Sequence, residues 1–322
     1  MVTSDLGSPP AEFRALSARL GADPLQIQGP GGNTSWKRDG TMWIKASGTQ
    51  LADAEGLDIF VPVDLATARG EIDGAGDGTC RAAVLAGSLR PSIETTFHAL
   101  LDAPVVVHTH SVAALAHVTS DEGEATALRK LEGLDAVAVP YRKPGLPLTH
   151  AIRNAVDAET RVILLRNHGL IVTGRTVADT DALIREVEER LALDAWPPGE
   201  QPQTAPEGWR TVDALPLLTR QDRACLGSFW PDHVVFLGPG VARSPDEARP
   251  EQNAALFGDG AVLRSSAKPI AALMLRCLAE VLARVPDDWT MRPLGPDAEA
   301  ELMDWDAETY RQKLAGALRT NA

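Results

Sequence analysis

Two histidines stand one residue apart in the run VVVHTH, at His108 and His110, where an apolar stretch following Pro104 reads as a β-strand. Side chains two apart on a strand project from one face, so both imidazoles can reach a single ion at the roughly 2.0–2.1 Å bond length that zinc requires. The same spacing also suits histidines that are only solvated or hydrogen-bonded. A third histidine, His168 in LLRNHGLIV, again stands at the end of an apolar run and just before a glycine. Strand ends bring side chains to a common sheet edge, where sites on α/β folds gather. Three neutral imidazoles leave one position of a tetrahedral zinc open, which is the arrangement of a catalytic rather than a structural site. Glu94, in RPSIETTFH, falls in the first turn of a predicted helix behind Pro91 and Ser92. Ser92 suits an N-cap and an acid in that turn complements the helix dipole, so helix stabilisation alone accounts for Glu94 unless the fold brings it beside the three histidines. In that place, a carboxylate next to a divalent cation is a natural mobile base. The other histidines, His98, His117, His150 and His233, read as packed or surface residues.

Two segments rich in glycine and hydroxyl groups, GPGGNTS (29–35) and ASGT (46–49), flank a predicted hairpin. Successive backbone N–H groups in such turns form anion-binding nests, with Asn33, Ser47 and Thr49 as extra donors; the same residues also suit plain turns. Neither segment is a dinucleotide fingerprint, because the chain after Gly29-Pro30-Gly31 enters a hairpin instead of a helix.

The elements that must position these residues follow from periodicity. A surface helix is expected over 11–20, a short strand over 25–28, and a hairpin of NTSWKR and TMWIKAS around an Asp39-Gly40 type I′ turn. Beyond Ile59 short apolar runs alternate with helical ones: a strand IFVPV, helices around 64–69, 79–86 and 93–101, strands over 103–110, 136–139, 161–165 and 170–173, and a long helix over 177–195. The Pro- and Gln-rich stretch 196–209 reads as a linker between a domain at 1–195 and a smaller unit at 210–322. Strands at 233–237 and 261–264 and helices at 270–284 and 298–317 make that unit a small α/β extension.

Composition excludes several classes. With 31 Lys and Arg against 44 Asp and Glu, the net charge of −13 repels phosphate backbones and anionic lipids, so neither nucleic acid nor membrane is an expected partner. No apolar run approaches the roughly 20 residues of a membrane span, and Met1 to Pro10 lacks the basic-then-apolar pattern of an export signal, so a cytoplasmic location is expected. Cys80, Cys225 and Cys277 are too scattered for a disulfide framework or a thiolate cage, which leaves His and carboxylate as metal ligands.

Taken in order, GGNTS, KASGT, PSIETTFHALL, VVVHTH and LLRNHGLIVTG resemble the class II aldolase/adducin family, whose type members are fuculose and rhamnulose 1-phosphate aldolases. The likeness spans about residues 10–195, and PDHVVFLGP and WDAETYRQKL resemble the extension of longer members, the aldolase half of rhamnulose-phosphate aldolase/dehydrogenase fusions. The resemblance implies a three-layer α/β/α fold around a largely antiparallel sheet, and a ring-shaped homotetramer with active sites between subunits. It implies zinc, or another divalent transition metal, on His108, His110 and His168, with Glu94 as catalytic acid/base. Asn33, Ser47, Gly48 and Ser92 would bind the substrate phosphate, with Thr49 a further donor from the same turn. Two departures stand out. Ile93 occupies the place of a second phosphate-binding serine, and a buried isoleucine donates nothing, so the phosphate site is weaker or the anion different. The family's loop tyrosine is missing, since the only two tyrosines are Tyr141 and Tyr310.

The expected activity is a zinc-dependent lyase that cleaves or forms a carbon–carbon bond in a sugar phosphate or sugar-acid-like hydroxy carbonyl compound, through a metal-stabilised enediolate. An epimerase or decarboxylase would use the same site. A non-catalytic adducin-like scaffold would have no reason to keep three histidines and a carboxylate at these spacings.

Overall fold

A computed structural model describes residues 6–196, 202–212 and 221–304. Asp39 and Gly40 both take positive φ, 50° and 79°, which closes the I′ turn between β1 (Asn33–Arg38) and β2 (Thr41–Lys45). With β3 (Phe60–Asp64), β4 (Val105–Thr109), β5 (Ala136–Val139), β6 (Val162–Leu165) and β7 (Gly169–Gly174), they form a seven-stranded sheet in the order β3-β2-β1-β4-β7-β6-β5. Every pairing in it is antiparallel except β5 with β6.

Both faces of this sheet are covered, as the near-continuous apolar runs of its central strands require. Val105 and Val107 of β4 enter one apolar cluster with helices Ala11–Ala22, Val112–Val118 and Val177–Leu191. Val106 enters a second with helices Thr95–Leu100 and Leu146–Ala155. The result is the three-layer α/β/α architecture. His108 shares the Val106 face, and its ring meets Phe97 edge-on at 5.7 Å.

The C-terminal part adds a three-stranded sheet of β8 (Trp209–Arg210), β9 (Ala254–Phe257) and β10 (Gly260–Arg264), in the order β8-β10-β9, followed by helices Pro269–Arg284 and Pro296–Met303. The apolar side of helix Pro269–Arg284, including Ile270, Met274 and Leu278, joins the cluster that holds Phe13, Val112 and Leu183.

Three sequence expectations are corrected. Residues 25–28 form a turn, because the Asp23 carboxylate accepts the Leu25 N–H at 2.9 Å and its carbonyl those of Gln26 and Ile27. Residues 79–86 are not a helix but an irregular segment, with a turn at 82–83 and a single bridge from Val84 to Val63. They satisfy the outer edge of β3, with Asp64 N–H donating to Ala83 O at 2.7 Å and Leu85 N–H to Pro62 O at 2.9 Å. His233–Leu237 is a wide π-type helical turn, not a strand; all five side chains are buried, and an all-apolar run carries no period to tell the two apart. Strand β9 carried no expectation. The helix expected over 298–317 runs over Pro296–Met303, and residues 305–322 lie outside the described residues, as do 197–201 of the expected linker.

Candidate active site

β1 and β4 are paired so that Asn33 lies directly across from His108, and directly paired residues of an antiparallel ladder face the same side. His110 follows two residues later. The turn between β6 and β7 carries His168 to the same edge: Asn167 takes φ 53°, and the His168 N–H closes on Leu165 O at 3.1 Å. This turn is held from outside, since the Asn167 amide donates to Phe229 O at 2.9 Å and Arg292 O at 2.8 Å. A Cβ at Gly169 would collide with the Thr109 carbonyl oxygen and crowd the rings of His108 and His110 at 3.3 Å each, so only glycine lets the two strands close here.

The three imidazoles meet. Each offers a ligand atom within 4.8 Å of the other two, and all three residues are buried. Burial pushes His108 down to about 4 and His168 to about 3, so both are neutral at pH 7 with lone pairs free to bind an ion. His108 directs Nδ1 at Leu170 O, 3.0 Å away, which leaves Nε2 for the cluster.

Glu94 arrives by a short ladder beyond the end of β2. Ser47 N–H donates to Arg90 O at 2.9 Å and Ser92 N–H to Lys45 O at 3.2 Å, around an Ala46–Pro91 bridge. This lays the 90–94 segment against the site. Glu94 Oε1 is 3.3 Å from His168 Nε2, and Oε2 is 3.6 Å from His108 Nε2. Burial works against its charge, but the imidazoles of His108 and His168 and the amide of Asn33 outweigh it, so Glu94 titrates below the usual carboxylate value and is ionised at pH 7. The Asn33 amide donates to Glu94 Oε2 at 2.8 Å and Ser92 Oγ at 3.2 Å.

His98, read from sequence as a packed residue, is packed but also sets this network. Its Nε2 contacts Asn33 Oδ1, and its Nδ1 lies 2.8 Å from Ser35 Oγ. Burial holds His98 well below its ordinary value, so it is neutral. With Ser35 donating to Nδ1, Nε2–H donates to Asn33 Oδ1, and the Asn33 NH2 is turned toward Glu94. The other three stand apart: His117 and His233 are buried, and His150 is exposed.

The cavity at this centre is lined by Asn33, Ser47, Gly48, Ser92, Glu94, His110 and His168, which brings together most of the residues singled out from sequence. Thr49 is not in the wall, because its hydroxyl turns back to Ala46 O at 2.9 Å. Two wall residues were missed. Lys45 is buried and donates to Pro30 O at 2.9 Å; its membership of KASGT was the available signal. Asp232, whose side chain is 2% exposed, comes from the C-terminal part, with Oδ2 3.3 Å from His110 Nδ1. A Cβ at Gly31 would lie 2.7 Å from that oxygen and 2.9 Å from that nitrogen, so glycine makes room for the approach.

The residues fit a divalent cation. His108 Nε2 and Glu94 Oε1 are buried without hydrogen-bond partners, each a cost of about 1–3 kcal/mol that a coordinated ion relieves. Two sides of the chemistry are then in one place: a cluster of imidazole nitrogens and an ionised, aimed carboxylate.

A family model described as the Class II Aldolase and Adducin N-terminal domain matches residues 14–194. The chain belongs to that family. Members of the class II aldolase family are generally enzymes and typically depend on a divalent metal. Among curated proteins it is similar to the uncharacterized oxidoreductase YuxG of Bacillus subtilis (strain 168), 30% identical over 194 residues, which is 53% of this chain and 28% of that protein. It is also similar to the fluorothreonine transaldolase of Streptantibioticus cattleyicolor, 28% identical over 184 residues, 55% of this chain and 24% of the other. The chain thus spans about a quarter of the length of the curated relatives it matches. Among solved structures, the N-terminal class II aldolase domain of a conserved protein from Thermoplasma acidophilum superposes with a TM-score of 0.50 at 24% identity, over 59% of this chain and 95% of that one. That likeness concerns the fold. No helix among the described residues is long and apolar enough to cross a membrane.

Proposed function

We propose that this class II aldolase family member is a divalent-metal-dependent lyase that breaks or makes a carbon–carbon bond next to a carbonyl in a sugar phosphate or sugar acid. The observation that carries the reading is the Glu94 carboxylate, ionised and held by Asn33, within 3.3 and 3.6 Å of the Nε2 atoms of His168 and His108. His108, His110 and His168 would hold the metal, with zinc the expected ion. When bound, it supplies a Lewis acid that draws charge from a carbonyl oxygen.

The chain's own residues do the rest. Glu94 accepts the proton from the substrate hydroxyl or returns it to carbon, and Asn33 keeps its Oε2 in place between those steps. Asp232 acts through His110 as a positioning residue: its carboxylate favours a proton on the near nitrogen, Nδ1, and so a lone pair on Nε2. Lys45 contributes a buried amino group to the wall where an anionic substrate would enter. Residues 1–195 are proposed as the catalytic domain and 210–322 as an extension that caps it and supplies Asp232. A homotetramer belongs to the same proposal and is checked by light scattering.

The test is a screen of sugar phosphates and sugar acids with zinc present, reading released aldehyde. Glu94→Gln is expected to keep metal and lose at least about a hundredfold in turnover. Near-wild-type turnover of that variant on a confirmed substrate would remove Glu94 from its role. Epimer or carbon dioxide as product, with no free aldehyde, would assign the site to epimerisation or decarboxylation instead.

A further inference from the structure

The cavity between the histidines and Asp232 measures about 20 Å3, room for an ion or a water but not for a sugar derivative. Anything larger must extend out of it. Three of its wall residues, Ser47, Ile93 and Pro144, are also walls of a second cavity of about 360 Å3, in the range of small-molecule sites. That second cavity carries Arg81, Arg90 and Lys143, in a chain whose net charge is −13. Of its acids, Asp77 accepts from Thr79 N–H at 2.9 Å and from its hydroxyl at 2.6 Å and also feels the charge of Arg81, and Glu301 pairs with Lys143 at 3.2 Å. At the neck between the two cavities, Ser47 is 7% exposed and its buried hydroxyl has no hydrogen-bond partner. Ser47 N–H donates to Arg90 O, so the backbone that bears one arginine is fixed beside that hydroxyl.

We propose that the second cavity is an anion subsite, in which Arg81 and Arg90 hold a phosphate or carboxylate of the substrate and Ser47 donates to it at the inner end. The proposal deepens the lyase reading and rests on it for the word substrate, while the subsite itself does not depend on which bond is cut. Ile93 explains the outward displacement: with no hydroxyl at that wall, the inner cavity offers the anion fewer donors, and the planar forks of the arginines lie further out. A substrate long enough to span both cavities follows, its hydroxy carbonyl end at the histidines and its anionic end at the arginines.

Calorimetric titration of the metal-free full chain with inorganic phosphate, and separately with malonate, tests this without any turnover. At least one probe should bind, and the Arg81→Ala/Arg90→Ala double variant should weaken it by at least about tenfold. Both arginines are exposed, so the fold is expected to survive, with a circular dichroism melt as the check. Ser47→Ala, a second and smaller change, should weaken the same probe several-fold. Phosphate binding alone identifies a phosphate-bearing ligand and malonate binding alone a carboxylate-bearing one. The subsite is overturned if neither probe binds at about 10 mM, or if the folded double variant binds as tightly as the wild type. Binding lost in the double variant of a protein with no lyase products would keep the subsite and reject only the reaction.

Discussion

Replacing Asp232 by asparagine keeps the side-chain size and removes one charge, which isolates the contact with His110. The carboxylate oxygen is 3.3 Å from His110 Nδ1, slightly beyond an aligned hydrogen bond, and both groups are shielded from water. A carboxylate that orients a metal-binding imidazole contributes about 10- to 100-fold in metal affinity. The length of this contact places Asp232→Asn near the lower figure, about tenfold or about 1.4 kcal/mol. Asp232→Ala, which also abolishes the acceptor, should fall toward the upper one. Competition with a chromogenic chelator for zinc measures the loss directly. The absorption spectrum of the cobalt-substituted protein reports whether the ring has turned, a change that a merely looser fold would not produce. If both variants hold zinc within about twofold of wild type while His110→Ala does not, Asp232 has no hold on the metal centre.

Other outcomes follow from the same geometry. Gly169→Ala forces a methyl group against the Thr109 carbonyl and between two ligand rings, so it should cost several kcal/mol in urea unfolding and abolish metal binding; a stable, metal-competent variant would contradict the packing. His98→Phe leaves the Asn33 carbonyl oxygen buried without its donor, an expected loss of about 1–3 kcal/mol, and it should also shift the pH profile of turnover by releasing the amide that holds Glu94. Stability should depend on pH through His117 and His233, which burial pushes down to about 4 and about 3. Below pH 6.5 the unfolded chain takes up protons that the folded chain refuses, so stability is full above that value and falls as pH drops toward the folded values, by up to about 1.4 kcal/mol per pH unit for each group. Urea unfolding at pH 7 and pH 5 measures it, and His233→Gln should remove one proton's share of the slope.

The legible part of the molecule is the part in which local period decides the outcome. His108 and His110 could be put on one face because strand parity is fixed, and the Asp39-Gly40 turn because both residues tolerate positive φ. His168 could be put at a strand end because the apolar run stops there. What escaped was settled by distant partners. The 79–86 segment yields to the unpaired edge of β3, which no pattern within that segment reveals. Asp232 stands before an apolar run with no period, and its neighbour His110 belongs to a different part of the chain. His98 looked inert because its task is defined by Asn33, a strand residue far away in sequence. Composition and spacing thus picked out the three histidines that meet, while the residues that aim them needed the fold.

The two carbonyls that receive the Asn167 amide belong to Phe229 and Arg292, both beyond the stretch that defines the family. A protein trimmed to that stretch would strip the amide of both acceptors and loosen the very bend that presents His168. Grafting a foreign tail would do the same unless it reproduced both acceptors. The tail of this protein is therefore no detachable appendage, and engineering that exchanges segments between relatives must carry the clasp along with the family domain.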